Sequence, residues 1–223
     1  MKIGIIGSGV VAQTLGAKLC ELGHEVAIGT RDPQKLDDKK NFAESLRGWL
    51  TRVGGQGKVL TFRDAAAFGD LLINATSGSV SVEALKLAGA DSVGAKILID
   101  TGNFLDHSRG MPPRTPAAQD NCLAEQIQAA FPNLKVVKTF NTISAPVMVN
   151  PRALKDGDHT IFLSGNDGGA KSTVSELLRS FGWIDILDLG DIASARGPEM
   201  YVALWIRLWG ATGTGMLNVK VVR

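Results

Sequence analysis

Residues 7–12 read Gly-Ser-Gly-Val-Val-Ala and stand directly between an apolar run at 2–6 and a stretch of helical spacing. A G-x-G-x-x-G/A turn in that setting is suited to holding a pyrophosphate. Gly7 permits the tight turn, Gly9 lets the backbone approach the anion, and Ala12 keeps the helix close to the sheet. Ser8, Val10 and Val11 complete the turn, whose unpaired N–H groups open the helix toward the ligand. A tight turn with no ligand is the alternative, disfavoured because strand, glycines and helix occur together.

Roughly twenty residues past such glycines, NAD-binding units carry a carboxylate for the ribose. This chain has Gly29-Thr30-Arg31 there. Without the carboxylate nothing repels a 2′-phosphate, and a hydroxyl and a guanidinium offer it charge-assisted donors. The predicted cofactor is therefore NADP(H). Lys35 is either a further cation for the same phosphate or a solvated surface lysine, and Asp32, followed by Pro33, reads as a helix cap. No Ser/His/Asp spacing, carboxylate pair or metal-ligating cluster emerges, so no catalytic residue and no metal ligand are assigned. His24 falls in a helix-to-strand turn, His107 in a loop and His159 at a strand start; a surface role is favoured for His107. Lys138 interrupts an apolar run and is read as reaching solvent past its strand end, with a catalytic lysine as the less favoured reading.

The elements that position these residues alternate. Apolar runs at 2–6, 25–28, 59–62, 71–75, 96–100 and 135–139 are separated by helical patterns, which predicts an α/β fold. The expected architecture is a Rossmann-type doubly wound parallel sheet, covered on both faces. Val11, Leu15, Leu19 and Leu22 form one helical stripe, and Phe42, Leu46, Trp49, Leu50 and Val53 a second. After a turn-rich passage at 142–158 come a strand at 160–163, a helix through Val174, Leu177, Leu178 and Phe181, a strand at 184–189, a helix near 198–209 and a strand-like MLNVKVV. In the last helix Met200, Tyr201, Leu204, Trp205 and Leu208 share a face that Ile206 and Trp209 widen. That is too apolar for a plain surface helix, and a homodimer partner or the back of a substrate cleft would bury it.

With 223 residues the chain can bury roughly 70% of its unfolded surface without staples. A net charge of +2 gives no mandate for nucleic acid. Cys20 and Cys122 have neither CxxC spacing nor a His pair and read as buried thiols of a reducing compartment. No run approaches the roughly 18 apolar residues of a membrane span, and the N-terminal MKIGIIGSGV does not read as a targeting segment. The expected location is the cytoplasm.

The segments GIIGSGVVAQTLGAKLCELGHEVAIGTRDP, VVKTFNTISAPVM and GDIASARGPEMYVALWIRLWG together resemble the coenzyme F420-dependent NADP oxidoreductase family, which includes the reductase domain of the six-transmembrane epithelial antigens. The resemblance implies hydride transfer between NADP(H) and a deazaflavin (coenzyme F420) or a flavin as small-molecule co-substrate. It places Gly7, Ser8, Gly9, Val10 and Val11 at the phosphates and Thr30, Arg31 and Lys35 at the 2′-phosphate. Ala75, Thr76 and Ser77, Thr101-Gly102-Asn103, and Thr139 with Asn141 would line ribose and nicotinamide. Asn103 and Asn141 have a second reading as loop residues tying down their own backbones. Residues 1–141 form the expected NADP-binding domain, and 142–223 a small α/β subdomain contributing to the acceptor cleft and a dimer contact. The loop from Phe104 to Asn121 has no counterpart among the family's acceptor contacts, and its Arg109 and Arg114 either meet an anionic tail or are solvated. Two other classes are weighed: an NADP(H)-binding redox sensor without turnover, and an imine or hydroxy-acid reductase, which the short, strand-bearing C-terminal part disfavours.

Overall fold

A computed structural model of the chain describes residues 1–38, 43–106, 108, 110–111, 113–115 and 122–223. Strands β1 (Lys2–Ile6), β2 (Glu25–Thr30), β3 (Gly57–Thr61), β4 (Leu71–Asn74), β5 (Ile97–Asp100), β6 (Lys135–Lys138), β7 (Thr160–Gly165) and β8 (Asp185–Asp188) join in one sheet. Their order is β3-β2-β1-β4-β5-β6-β7-β8. All neighbours run parallel except β6 and β7, which pair antiparallel through Val137↔Gly165 and Lys138↔Ser164. The predicted Rossmann-type sheet is thus present. Chain order reverses across β1 and β4, and in open α/β sheets such a switch point opens a crevice at the strands' carboxyl ends.

Side chains of β1 alternate between two cores, Ile3 and Ile5 on one face and Ile6 on the other. The first face is covered by α1 (Val10–Glu21), α2 (Leu46–Val53), α7 (Ala145–Val149) and α8 (Gly168–Ser180), which contribute Leu15, Trp49, Val147 and Val174. The second face takes α3 (Phe62–Phe68), α4 (Gly78–Ala88), α5 (Ala90–Val93) and α6 (Leu123–Ala130), with Ala65, Leu85, Val93 and Leu123. The last helix, α9 (Arg196–Thr212), crosses the carboxyl ends of β5 and β6.

Two elements differ from expectation. The second amphipathic helix begins at Leu46, where the Ser45 hydroxyl accepts from Gly48 N at 3.1 Å. Asp32 caps no helix: its Oδ1 accepts from Gln34 N at 3.1 Å and its carboxylate pairs with Lys35 at 3.5 Å, local contacts that favour a turn over a helix. Phe42 lies outside the described residues. The terminal MLNVKVV forms no strand. It runs beside the start of β7, where Val219 O accepts from Thr160 N at 2.9 Å, and Lys220 pairs with Asp158 and with Asp185 of β8.

Both cysteines are buried. Burial, opposed by the Glu125 backbone hydrogen bond and reinforced by the Glu199 and Glu125 carboxylates, pushes the Cys122 thiol up to about 12, and burial raises Cys20 as well. A thiol-specific reagent at pH 8 is therefore expected to label neither in the folded protein and both after denaturation, and rapid native labelling at either would contradict the packing. Among the described residues no helix is long and apolar enough to cross a membrane, and no group of three His, Cys, Asp or Glu side chains could hold a metal.

Candidate functional site

The glycine turn closes β1 onto α1. Gly7 has φ +119°, and a Cβ there would lie 2.5 Å from the Ala75 carbonyl oxygen, so the turn excludes a side chain on two counts. Gly9 is the N-cap of α1, and a Cβ on it would meet nothing within 4 Å. The space before the helix N-terminus is clear, which fits a pyrophosphate. Ala12 is fully buried beneath it. A residue that sequence reasoning missed braces the turn: the buried Gln13 amide donates to Ser8 O at 3.3 Å and to Glu44 O at 3.0 Å. Only its place on the inner side of α1 hinted at this.

Two cavities flank the turn. The first, about 390 Å³, is lined by Ser8, Gln13, Thr30, Arg31 and Lys35 together with Asp32, Asp38, Glu44 and Leu46. Its acids are largely answered within the chain, since Asp32 pairs with Lys35 and Glu44 with Arg52. Arg31 is exposed, and no ion pair holds it among the described residues. Arg31 and the buried Thr30 line the same cavity, a pair of donors suited to a phosphate monoester.

The second cavity, about 490 Å³, brings together Val10, Val11, Ala75, Thr76, Ser77, Asn103 and Asn141 with residues the sequence did not place there, notably Ile143, Ser144 and Met148. Val202, Trp205, Ile206 and Trp209 of α9 close one side. Among the described residues no ionisable side chain lines it, so their part of the wall is an apolar slot with a few hydroxyl and amide groups. Ser144 Oγ and Trp205 Nε1 in its wall are buried, with no hydrogen-bond partner among the described residues. From the Phe104–Asn121 loop, Leu105, Met111 and Pro113 reach the cavity, and Asp106 and Arg114 pair backbone to backbone. Arg114 is exposed, whereas His107 and Arg109 lie outside the described residues.

Beneath the cavity floor is a buried polar network. Asn74 Nδ2 donates to Asp100 Oδ1 at 2.7 Å and to Ser81 Oγ at 3.0 Å, and Thr76 Oγ1 donates to Asn74 Oδ1 at 2.7 Å. Lys138 corrects the expectation of a solvent-reaching lysine: it is 1% exposed, with Nζ 2.7 Å from Asp100 Oδ2, 2.6 Å from Gly102 O and 2.8 Å from Glu199 Oε1. The helix α9 seals the strand end and supplies the second carboxylate, so the amine is held inside. Burial pushes its pKa down, but Asp100 and Glu199 outweigh that and hold the ammonium above its usual range. The signal was present in sequence as three charges, Asp100, Lys138 and Glu199, set in apolar surroundings.

Thr139 lines neither cavity, and its hydroxyl donates to Phe162 O at 2.8 Å, tying β6 to β7. The next residue, Phe140, has φ +66° and is 1% exposed, its ring 6.0 Å from that of Phe181. Asn103 and Asn141 serve both readings. They face the cavity and also tie loops, with Asn103 Nδ2 donating to Asn141 O at 2.7 Å and Asn141 Nδ2 to Asn103 Oδ1 and Pro198 O, each at 3.1 Å. On α9 the buried positions are Pro198, Val202 and Ile206, while Met200 and Leu204 of the expected stripe are 71% and 55% exposed.

A family model described as NADP oxidoreductase, coenzyme F420-dependent, matches residues 2–104. A solved structure from Arthrobacter sp. FB24, named as a candidate F420-dependent NADP reductase, is 47% identical, covers 100% of both chains and has a TM-score of 0.92. Metalloreductase STEAP3 of Rattus norvegicus is 33% identical over 199 residues, 89% of this chain and 36% of that protein, so the chain spans little more than a third of this relative. An imine reductase from Aspergillus terreus, solved with NADPH4, is 15% identical with a TM-score of 0.62 over 95% of this chain and 62% of that one, a likeness of fold.

Proposed function

Because the chain belongs to the coenzyme F420-dependent NADP oxidoreductase family, we propose that it moves hydride between NADP(H) and a deazaflavin of the F420 type or a flavin. The observation that carries this reading is the pair of unlike cavities on either side of Gly9, one with an exposed guanidinium and a hydroxyl, the other apolar and, among the described residues, without ionisable groups. When bound, nicotinamide and acceptor ring supply the redox chemistry themselves. The chain's own task is to grip, align and keep water out. In this reading Arg31 and Thr30 hold the 2′-phosphate, and the N–H groups at the start of α1 hold the pyrophosphate. Thr76, Asn103 and Asn141 orient the nicotinamide end, and α9 backs the acceptor. Residues 1–141 carry the nucleotide, and 142–223 add the acceptor-side wall.

Arg31→Ala is expected to weaken NADPH binding about 10- to 100-fold, the worth of a charge-assisted contact of roughly 1.5–3 kcal/mol, with NADH changed by less than about threefold. Equal losses for both nucleotides would remove the 2′-phosphate assignment. Anaerobic NADPH oxidation with F420, FMN and FAD in parallel identifies the acceptor. If NADPH binds and all three fail, the chain is a nucleotide-responsive module without turnover. The exposed Met200 and Leu204 support a homodimer through α9, and light scattering returning a mass near 23.6 kDa would dismiss it.

A further inference from the structure

Glu199 is the only acidic residue of α9. Counting from it, Val202, Ile206 and Trp209 follow at spacings of three, four and three, so they share its helical face, and all three line the apolar cavity. Whatever holds Glu199 therefore sets how α9 is rotated over that cavity. Its holders are few and strong. Lys138 Nζ lies 2.8 Å from Oε1, Ala124 N donates to Oε1 at 3.1 Å, and Leu123 N donates to Oε2 at 2.7 Å. Through Lys138 the helix is fastened to Asp100 and Gly102, at the carboxyl end of β5 where the nicotinamide side of the cavity begins. A parallel strut runs from Asn103 through Asn141 to Pro198 O.

We infer that Glu199 and Lys138 are a positioning pair, fixing the acceptor-side helix against the nucleotide-side strand end and so setting the distance and tilt between two stacked rings. The inference rests on the proposed hydride transfer and names the residues that align it. Neither side chain lines the cavity. Their effect is geometric: reacting atoms must stand about 3–3.5 Å apart, and a misplacement of about 1 Å costs on the order of 100-fold in rate.

Glu199→Gln preserves the shape of the side chain but leaves one acceptor oxygen for three donors, so one tether is lost. Glu199→Asp keeps the charge and both oxygens. Each is compared with the wild type in three measurements: NADPH affinity, the amplitude of energy transfer from tryptophan to bound NADPH, and the anaerobic single-turnover rate with the accepted deazaflavin or flavin. Trp205 and Trp209 ride on α9, and their transfer to the nicotinamide reports its position without turnover. For Glu199→Gln the expected result is an NADPH affinity within about twofold of wild type, a changed transfer amplitude at saturation, and a hydride-transfer rate lowered on the order of 10- to 100-fold. Glu199→Asp should fall between. A folded Glu199→Gln protein with unchanged amplitude and rate overturns the inference, as does a loss of NADPH affinity in step with the rate, which marks a merely structural role. Should the wild type reduce no acceptor, the proposed function falls on its own, and the amplitude alone decides whether Glu199 fixes the helix.

Discussion

Lys138→Met is expected to lower the melting temperature by roughly 6–20 °C at pH 7. Removing one partner from a buried ion pair costs about 3–5 kcal/mol, and in a chain of this size each kcal/mol moves the midpoint about 2–4 °C. Asp100 and Glu199 are left facing each other with no cation, although Asn74, Gly102 N and the first N–H groups of α6 still donate to them. The lysine's folded pKa is raised above its ordinary 10.5, so its contribution is complete below that value and declines only as pH rises through the higher folded one. The difference between variant and wild type should therefore be constant across neutral pH and shrink only in strong alkali. A calorimetric midpoint within about 2 °C of wild type would show that the cluster is not locked in the way described.

Gly7→Ala and Gly9→Ala should separate two roles that one motif combines. At Gly7 the methyl group meets the Ala75 carbonyl at 2.5 Å and must sit at φ +119°, so the strand end is pushed away and both fold and binding suffer. A fall of several degrees in melting temperature and a loss of NADPH affinity of about 100-fold or more are expected, from strain together with a displaced turn. At Gly9 nothing lies within 4 Å. There the melting temperature should stay within about 1 °C while NADPH affinity drops about tenfold or more, because the methyl enters the space of the anion rather than of the protein. Thermal melts paired with NADPH titrations make the comparison. Unaltered affinity in Gly9→Ala would place the pyrophosphate elsewhere.

The sheet was legible because it is buried on both faces: its strands are short apolar runs punctuated by glycine and polar turns, as in Lys2–Ile6 and Leu71–Asn74. The glycine turn was legible for a related reason, since backbone demands restrict the residue types there. What sequence hid depended on distant segments meeting. Nothing near Lys138 announces that Glu199, on a helix far along the chain, closes over it, and a lysine alone at a strand end is more often solvated. Asp32 misled because the same residue caps helices and Asx turns, and the choice was made by Gln34 N and Lys35. The α9 stripe was legible only in part, since nearly every position of that helix is apolar and periodicity could not say which side faces the cavity and which the exterior.

Phe140 holds a backbone angle that glycine adopts freely and phenylalanine resists, at the bend that delivers Asn141 to the cavity rim. A contorted residue of this kind costs on the order of 1–3 kcal/mol and persists only while its surroundings insist on it. Here the insistence comes from the hydrophobic interior, with the aromatic ring of Phe181 lying nearly flat against it at the C-cap of α8. The rim of the pocket is thus under tension from a clamp in the core that α8 covers. Loosening that clamp with a smaller residue at 181 would let the bend relax and the asparagine drift, a disturbance at the site from a position that touches no ligand.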